Sequence, residues 1–181
     1  QLVVTIDFLD SVLHGKPTIP RFGTEFPAKQ IVTTLEWEDL VLPAPIISQL
    51  DEIQTWLDYQ HQLMVEWGMA RKLKPGYRAL FYGPPGTGKT LTAGLLGKTT
   101  KKPVFRIDLS MVVSKFIGET EKNLARVFDA AEKKDWILFF DEADALFGKR
   151  TKVSDSHDRY ANQEVSYLLQ RVEEYSGLVI L

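Results

Sequence analysis

The residues with the most chemistry in their spacing are Gly83-Pro84-Pro85-Gly86-Thr87-Gly88-Lys89-Thr90. They follow G-x-x-x-x-G-K-[ST], and each fixed position has a physical reason. Glycines let the backbone curl until successive N–H groups point inward at phosphate oxygens. A helix starting at the end of such a loop adds its positive end to the same anion. Lys89 then reaches the β- and γ-phosphates as a mobile point charge, and the Thr90 hydroxyl ligates Mg²⁺. The plain alternative is a Gly/Pro turn that happens to hold a lysine. The apolar strand predicted before the loop and the helix predicted after it argue against that. A dinucleotide fingerprint is excluded, because G-x-G-x-x-G begun at Gly86 needs glycine where Leu91 stands.

A second cluster shares this chemistry. Trp136-Ile137-Leu138-Phe139-Phe140 runs straight into Asp141-Glu142-Ala143-Asp144. A buried strand thereby delivers two carboxylates to the sheet edge where open α/β sheets bind ligands. Alone, two acids after an apolar strand are an ordinary loop start. With the phosphate loop in the same chain, Asp141 is expected to hold Mg²⁺ together with Thr90, and Glu142 to polarise the attacking water as general base.

The elements that must position these groups can be read from periodicity. Ala79 to Tyr82, Val104 to Ile107, Ile137 to Phe140 and Leu178 to Leu181 are predicted strands. Between them lie helical stripes: the segment after Thr90 to about Lys98, then Leu124, Val127, Phe128 and Ala131, then Val165, Leu168, Leu169 and Val172. Upstream, Ile46, Leu50, Ile53 and Leu57 form a further stripe behind Pro43 and Pro45. Strand and helix in alternation imply an α/β fold with a mainly parallel sheet covered on both faces. The alternation Leu2, Val4, Ile6, Phe8 suggests one more strand. Residues 14 to 30, with Pro17, Pro20, Gly23 and Pro27, read as an irregular connector. Residues 1–32 are therefore expected to belong to an upstream region or linker, and 33–181 to the compact domain.

Composition sets the limits. The 181 residues are 44% hydrophobic and 25% charged with a net charge of -2, an ordinary globular balance without the basic footprint of a nucleic-acid binder. No apolar run reaches the length of a membrane span. The chain has no cysteine, which excludes disulfides, thiolate metal sites and Cys nucleophiles and fits a reducing, cytoplasmic setting. It starts at Gln1 and stops on the apolar run Gly177 to Leu181, so both ends are expected to be cuts.

From Thr33 onward the sequence resembles the AAA ATPases. Besides Gly83 to Thr90 and Asp141-Glu142, the resemblance rests on Ser114-Lys115-Phe116-Ile117-Gly118-Glu119-Thr120-Glu121-Lys122-Asn123-Leu124, on Ala143 to Arg150, and on Ala161-Asn162-Gln163-Glu164. It implies a P-loop three-layer sandwich that stops before its last strand and helical lid. In the family the phosphate-loop strand is central and flanked by a strand later than the one ending at Leu181, so here that apolar edge is expected to be unpaired. It also implies contact of Pro85, Gly86, Thr87, Gly88, Lys89, Thr90 and Leu91 with ATP or ADP. Trp37-Glu38-Asp39-Leu40 stands where the family packs against adenine, with Asp39 and Leu40 as the contacts; Val41-Leu42-Pro43 replaces the usual glycines. Lys115, Phe116, Ile117 and Gly118 match a loop lining the pore of a hexameric ring; a lone aromatic in a loop is more often packed into a core, but Lys115 and Gly118 beside it suit an exposed loop. Asp108 matches a polar position that restrains the catalytic glutamate, or is a solvated strand end. Lys149, Arg150 and Lys152 are a solvated face or a contact with a neighbouring subunit. His157 reads as helix-capping context, and Trp37, Trp56, Trp67 and Trp136 as core.

The expected function is thus Mg²⁺-dependent ATP hydrolysis, with Lys89 and Glu142 catalytic, by a homo-hexameric motor that threads or remodels protein. Two other classes compete. A nucleic-acid helicase shares Asp141-Glu142-Ala143-Asp144, but the sequence lacks a Ser-Ala-Thr coupling motif and its net charge of -2 argues against a basic channel, so nucleic acid is not an expected partner. A scaffold that binds nucleotide without turnover is disfavoured by having both Lys89 and Glu142. A GTPase would need an Asn-Lys-x-Asp sequence, which does not occur.

Overall fold

The structure is a computed structural model that describes residues 28–109, 119–143 and 156–181. The strand expected at Leu2 to Phe8, the pore-loop candidates Lys115 to Gly118, and Asp144, Lys149, Arg150 and Lys152 lie outside the described residues.

Among the described residues five strands form one sheet: β1 Ala28–Ile31, β2 Tyr77–Ala79, β3 Val104–Asp108, β4 Ile137–Asp141 and β5 Leu178–Ile180. Their spatial order is β1-β3-β4-β5-β2, with every neighbour parallel except the antiparallel β1–β3 pair. Among the described residues four α-helices cover it: α1 Ala44–His61, α2 Lys89–Thr100, α3 Glu119–Lys134 and α4 Ser156–Glu174. The expected α/β class and three-layer architecture are those observed.

Period-two alternation sorts the strand residues onto two faces. Phe105, Ile107, Leu138, Phe140 and Val179 form one core with Leu124 and Phe128 of α3 and Leu168 and Val172 of α4. Val104, Ile137, Phe139, Leu178 and Ile180 form the other with Leu50, Ile53 and Leu57 of α1 and Ala93 and Leu96 of α2. Ile137 to Phe140 is buried throughout, as a parallel strand covered on both faces must be. In α1 the spacing of Leu50, Ile53 and Leu57 places those three on the core face, whereas Ile46 at the first turn is 40% exposed.

Two polar fastenings hold the layers. The Arg78 guanidinium donates to the carbonyls of Val172, Glu173 and Tyr175, the otherwise unsatisfied end of α4, and to Pro75. Tyr175 is buried and donates its hydroxyl to the Trp136 carbonyl at 2.5 Å. Trp136 in turn stacks on Phe105, with ring centroids 3.7 Å apart.

Several expectations are corrected. Ala28, Lys29 and Gln30, read as connector, pair with Ile107, Arg106 and Phe105. Four residues behind Pro27 are too few for periodicity to register, and only the partner strand makes them a strand. The phosphate-loop strand is Tyr77–Ala79, two residues earlier than its apolar run. Pairing with β5 sets its start at Tyr77, while Leu80 and Tyr82 turn outward at 68% and 88% exposure. Among the described residues β2 has a single neighbour, β5, and its other edge is unpaired, as expected. Trp136 is core, Trp37 and Trp56 pack on the second core half-buried, and Trp67 is 65% exposed, because it follows the turn that ends the α1 stripe.

Candidate functional site

Because β2 to β5 are parallel, their carboxyl ends share one edge of the sheet. The glycine loop leaves that edge after β2, and Asp141 and Glu142 leave it from β4, with only β5 between. The ladder reaches past β2: the Leu181 N–H donates to the Ala79 carbonyl and the Phe81 N–H to the Leu181 carbonyl, at 2.9 and 2.8 Å. The loop is therefore anchored where it begins.

Its glycines carry the conformation the motif requires. Gly86 and Gly88 have φ of +80° and +89°, a region that side-chain-bearing residues rarely adopt. A Cβ on Gly86 would meet nothing within 4 Å, so the space beside the loop is open. The Lys89 Nζ donates to the carbonyls of Gly83 and Pro84 at 2.7 and 3.0 Å, closing the loop on itself. The Thr87 hydroxyl donates to Pro84 at 2.9 Å. α2 begins at Lys89, and its first-turn amides face the loop. The Thr92 amide and hydroxyl both bond the Gly88 carbonyl, at 2.8 and 2.9 Å. Thr90 is exposed and Leu91 half-buried.

On β4, the Asp141 carboxylate is used at both oxygens. One accepts from the Arg106 guanidinium at 2.8 Å, and the other from the Glu142 amide at 3.0 Å. Arg106 is the one charged residue inside β3 before its terminal Asp108, and it shares the α2 face of the sheet with Asp141. Sequence reasoning passed over it; a lone charge between Phe105 and Ile107 was the available signal. Glu142 is exposed and has φ of +58°, a conformation costly for a side-chain-bearing residue and concentrated at functional sites. Asp108 is in register with Asp141, so both acids end at the same edge.

The segment expected near adenine runs along α2. A short 3-10 turn, Trp37–Asp39, is closed by the Asp39 carboxylate accepting from the Glu36 amide at 2.8 Å. The Trp37 indole donates to Thr99 at 2.8 Å, and Lys98 bonds Glu36 and the Leu35 carbonyl at 2.5 and 3.1 Å. This brings Leu40 against the phosphate loop, its Cδ1 2.7 Å from where a Gly88 Cβ would stand. Asp39 locks the turn, and Leu40 is the residue brought to the loop.

Residues 79–181, which include both the glycine loop and the acidic strand end, match the model of the ATPase family associated with various cellular activities (AAA). The chain belongs to the AAA ATPase family. Over 97 residues it is 39% identical to an uncharacterized AAA family ATPase of Sinorhizobium fredii, covering 54% of this chain and 29% of that protein. It is also 39% identical over 106 residues to a proteasome-activating nucleotidase of Methanothermobacter thermautotrophicus, covering 58% of this chain and 26% of that protein. The chain thus spans under a third of the length of these relatives. Among the described residues no helix is long and apolar enough to cross a membrane.

Proposed function

We propose that this AAA chain binds ATP with Mg²⁺ and hydrolyses it, as part of a ring-forming motor that threads or remodels protein. The observation that carries the reading is the convergence on one sheet edge of the Lys89 loop and the Asp141-Glu142 pair. The name of the proteasome-activating nucleotidase supports a protein substrate, at the level of a relative.

The residues present fit the nucleotide. The loop amides and the start of α2 favour an anion, and the Gly86 side of the loop is open. Lys89 would exchange its two loop carbonyls for phosphate oxygens. Thr90 and Asp141 would hold Mg²⁺, which needs few protein ligands because the phosphates supply others. When bound, the ion neutralises charge on the phosphates. Glu142 would hold and orient the attacking water and accept its proton as that water's oxygen bonds to the γ-phosphorus and the bond to ADP breaks. Glu142 follows the last residue of β4 in a left-handed conformation and is exposed. Leu40 would close one side of the base site, and Lys115 to Gly118 would meet the protein substrate.

Two variants of the full protein test this. Lys89→Ala should raise the Kd for ATP by about tenfold or more, because a charge-assisted contact is lost where phosphate charges converge. Glu142→Gln should keep ATP affinity within about twofold and stop steady-state phosphate release, since the amide keeps the shape and loses the base. Unchanged ATP affinity in the first variant, or wild-type turnover in the second, would overturn the reading.

A further inference from the structure

β3 carries a charge where its neighbours are core. Phe105 and Ile107 are buried on one face of the sheet, and between them Arg106 lies on the other with its side chain 44% exposed. Its register partner on β4 is Phe139, yet its guanidinium runs on to Asp141, two residues further along that strand, and pairs with Oδ2 at 2.8 Å. Only a long side chain spans that diagonal. The other oxygen, Oδ1, accepts from the Glu142 amide at 3.0 Å. Both Asp141 oxygens are thus taken. The amide cannot leave without moving the chain, whereas a half-exposed side chain can.

The position of the pair gives it a consequence. Asp141 ends β4 on the same sheet edge as the phosphate loop, and the Lys89 Nζ of that loop is held by the Gly83 and Pro84 carbonyls at 2.7 and 3.0 Å. An unpaired carboxylate at this edge repels the anion that the loop amides attract, and a guanidinium on Oδ2 cancels that repulsion. The oxygen that Arg106 holds is also the one a metal ion, or water bound to it, would need. Two cations against one oxygen repel each other, so Arg106 must release Oδ2 for the ion. Release is cheap, because a partly exposed ion pair contributes little and a long side chain can lift its head into water while its stem stays on the sheet.

We infer that Arg106 is a positioning residue that serves as counter-ion to Asp141 and is exchanged there for Mg²⁺, so that it sets how strongly nucleotide binding depends on the ion. The inference rests on the nucleotide reading above and adds to it a residue that lies in neither motif. With Arg106 on Asp141, nucleotide enters without the ion at little electrostatic penalty. With the ion, the lost pair is subtracted from the gain. Removing the guanidinium should therefore act in opposite directions under the two conditions. A strut that merely supports β4, or a cation that merely attracts phosphate, would weaken binding in both.

The test reads binding rather than turnover: the Kd of fluorescent methylanthraniloyl-ADP on the full protein, in EDTA and in excess Mg²⁺. Arg106→Met should raise the Kd about two- to fivefold in EDTA and lower it about two- to fivefold in Mg²⁺. The ratio of the two values, which is the coupling between ion and nucleotide, should thus rise by about fourfold or more. Arg106→Lys keeps the charge and should hold the ratio within about twofold of wild type. Thermal melts of both variants within a few degrees of wild type would show that they fold. Lys89→Ala in the same assay separates the two readings. If it leaves the Kd unchanged, the nucleotide reading falls and this inference with it. If it weakens binding while Arg106→Met raises the Kd in both conditions, or changes it in neither, the exchange alone is overturned. Arg106→Lys behaving like Arg106→Met would overturn it too, by showing that shape and not charge is what Asp141 requires.

Discussion

Gly97 lies in α2 where the helix presses on the start of β3, and replacing it by alanine tests the packing that carries the phosphate loop. A Cβ there would stand 2.2 Å from Val104 Cγ2 and 2.7 Å from the Lys102 carbonyl oxygen. Carbon atoms in contact prefer about 3.5–4.0 Å, so the overlap exceeds an ångström. Val104 is buried, β-branched and stiff, and the Lys102 carbonyl is backbone; neither can swing aside as the end of a long side chain can. The Lys102 amide also bonds the Gly97 carbonyl at 3.0 Å, which ties the clashing turn to the same residue. Two terms oppose each other. Alanine is better than glycine in a helix by about 0.8–1 kcal/mol. Overpacking costs about 1–3 kcal/mol, and here lies at the upper end because backbone must move. The net is a loss of about 1–2 kcal/mol, or a fall in Tm of roughly 2–8 °C for a domain of this size. Gly94, one turn earlier, is the control: the nearest atoms its Cβ would meet belong to the Ile31 and Thr33 side chains, the first at 3.1 Å, so the helix gain of about 0.8–1 kcal/mol is opposed only by a small side-chain shift and Gly94→Ala should range from neutral to about 1 kcal/mol more stable. Thermal and urea unfolding of the full chain without nucleotide measures both. A Gly97→Ala protein as stable as wild type, or a Gly94→Ala protein that loses more, would refute the reasoning.

Two other outcomes follow from named contacts. Arg106 occupies an Asp141 oxygen at 2.8 Å, so Arg106→Met should lower the Mg²⁺ concentration for half-maximal turnover by about two- to fivefold, while costing at most about 1 kcal/mol of stability as a half-exposed pair; a raised Mg²⁺ requirement would show that the guanidinium positions the carboxylate rather than competing for it. Burial first, and then the Asp135 and Glu132 charges, raise the Tyr175 hydroxyl above its ordinary 10.0. The unfolded chain therefore ionises first, and stability present below about pH 10 should fall as pH rises beyond it. Tyr175→Phe should remove that slope and cost about 1–3 kcal/mol at pH 7, because the Trp136 carbonyl loses its 2.5 Å donor; urea titrations at pH 8 and 10.5 would decide.

The strand-and-helix alternation, the phosphate loop and the acidic strand end were all legible in the sequence, because each is local. A buried parallel strand must be apolar along its whole length, as Ile137 to Phe140 is. A loop that curls its amides inward needs glycine at Gly86 and Gly88 whatever lies around it. What the sequence could not supply was everything set by neighbours far along the chain. Ala28–Ile31 has no periodicity of its own, and β3 makes it a strand. Tyr77 begins β2 because Leu178 stands beside it, not because its side chain differs from those around it. Arg106 looks like an exposed interruption of an apolar run until the β3–β4 register puts it on the Asp141 carboxylate. Trp67 reads as core by composition and is exposed because a π turn ends the helix before it. Residue type and spacing act over a few residues, through sterics and periodicity, and they determined which groups can do chemistry. Register, sheet order and the meeting of α1 with β2 depend on contacts between distant segments, and only the tertiary structure decided which groups stand together.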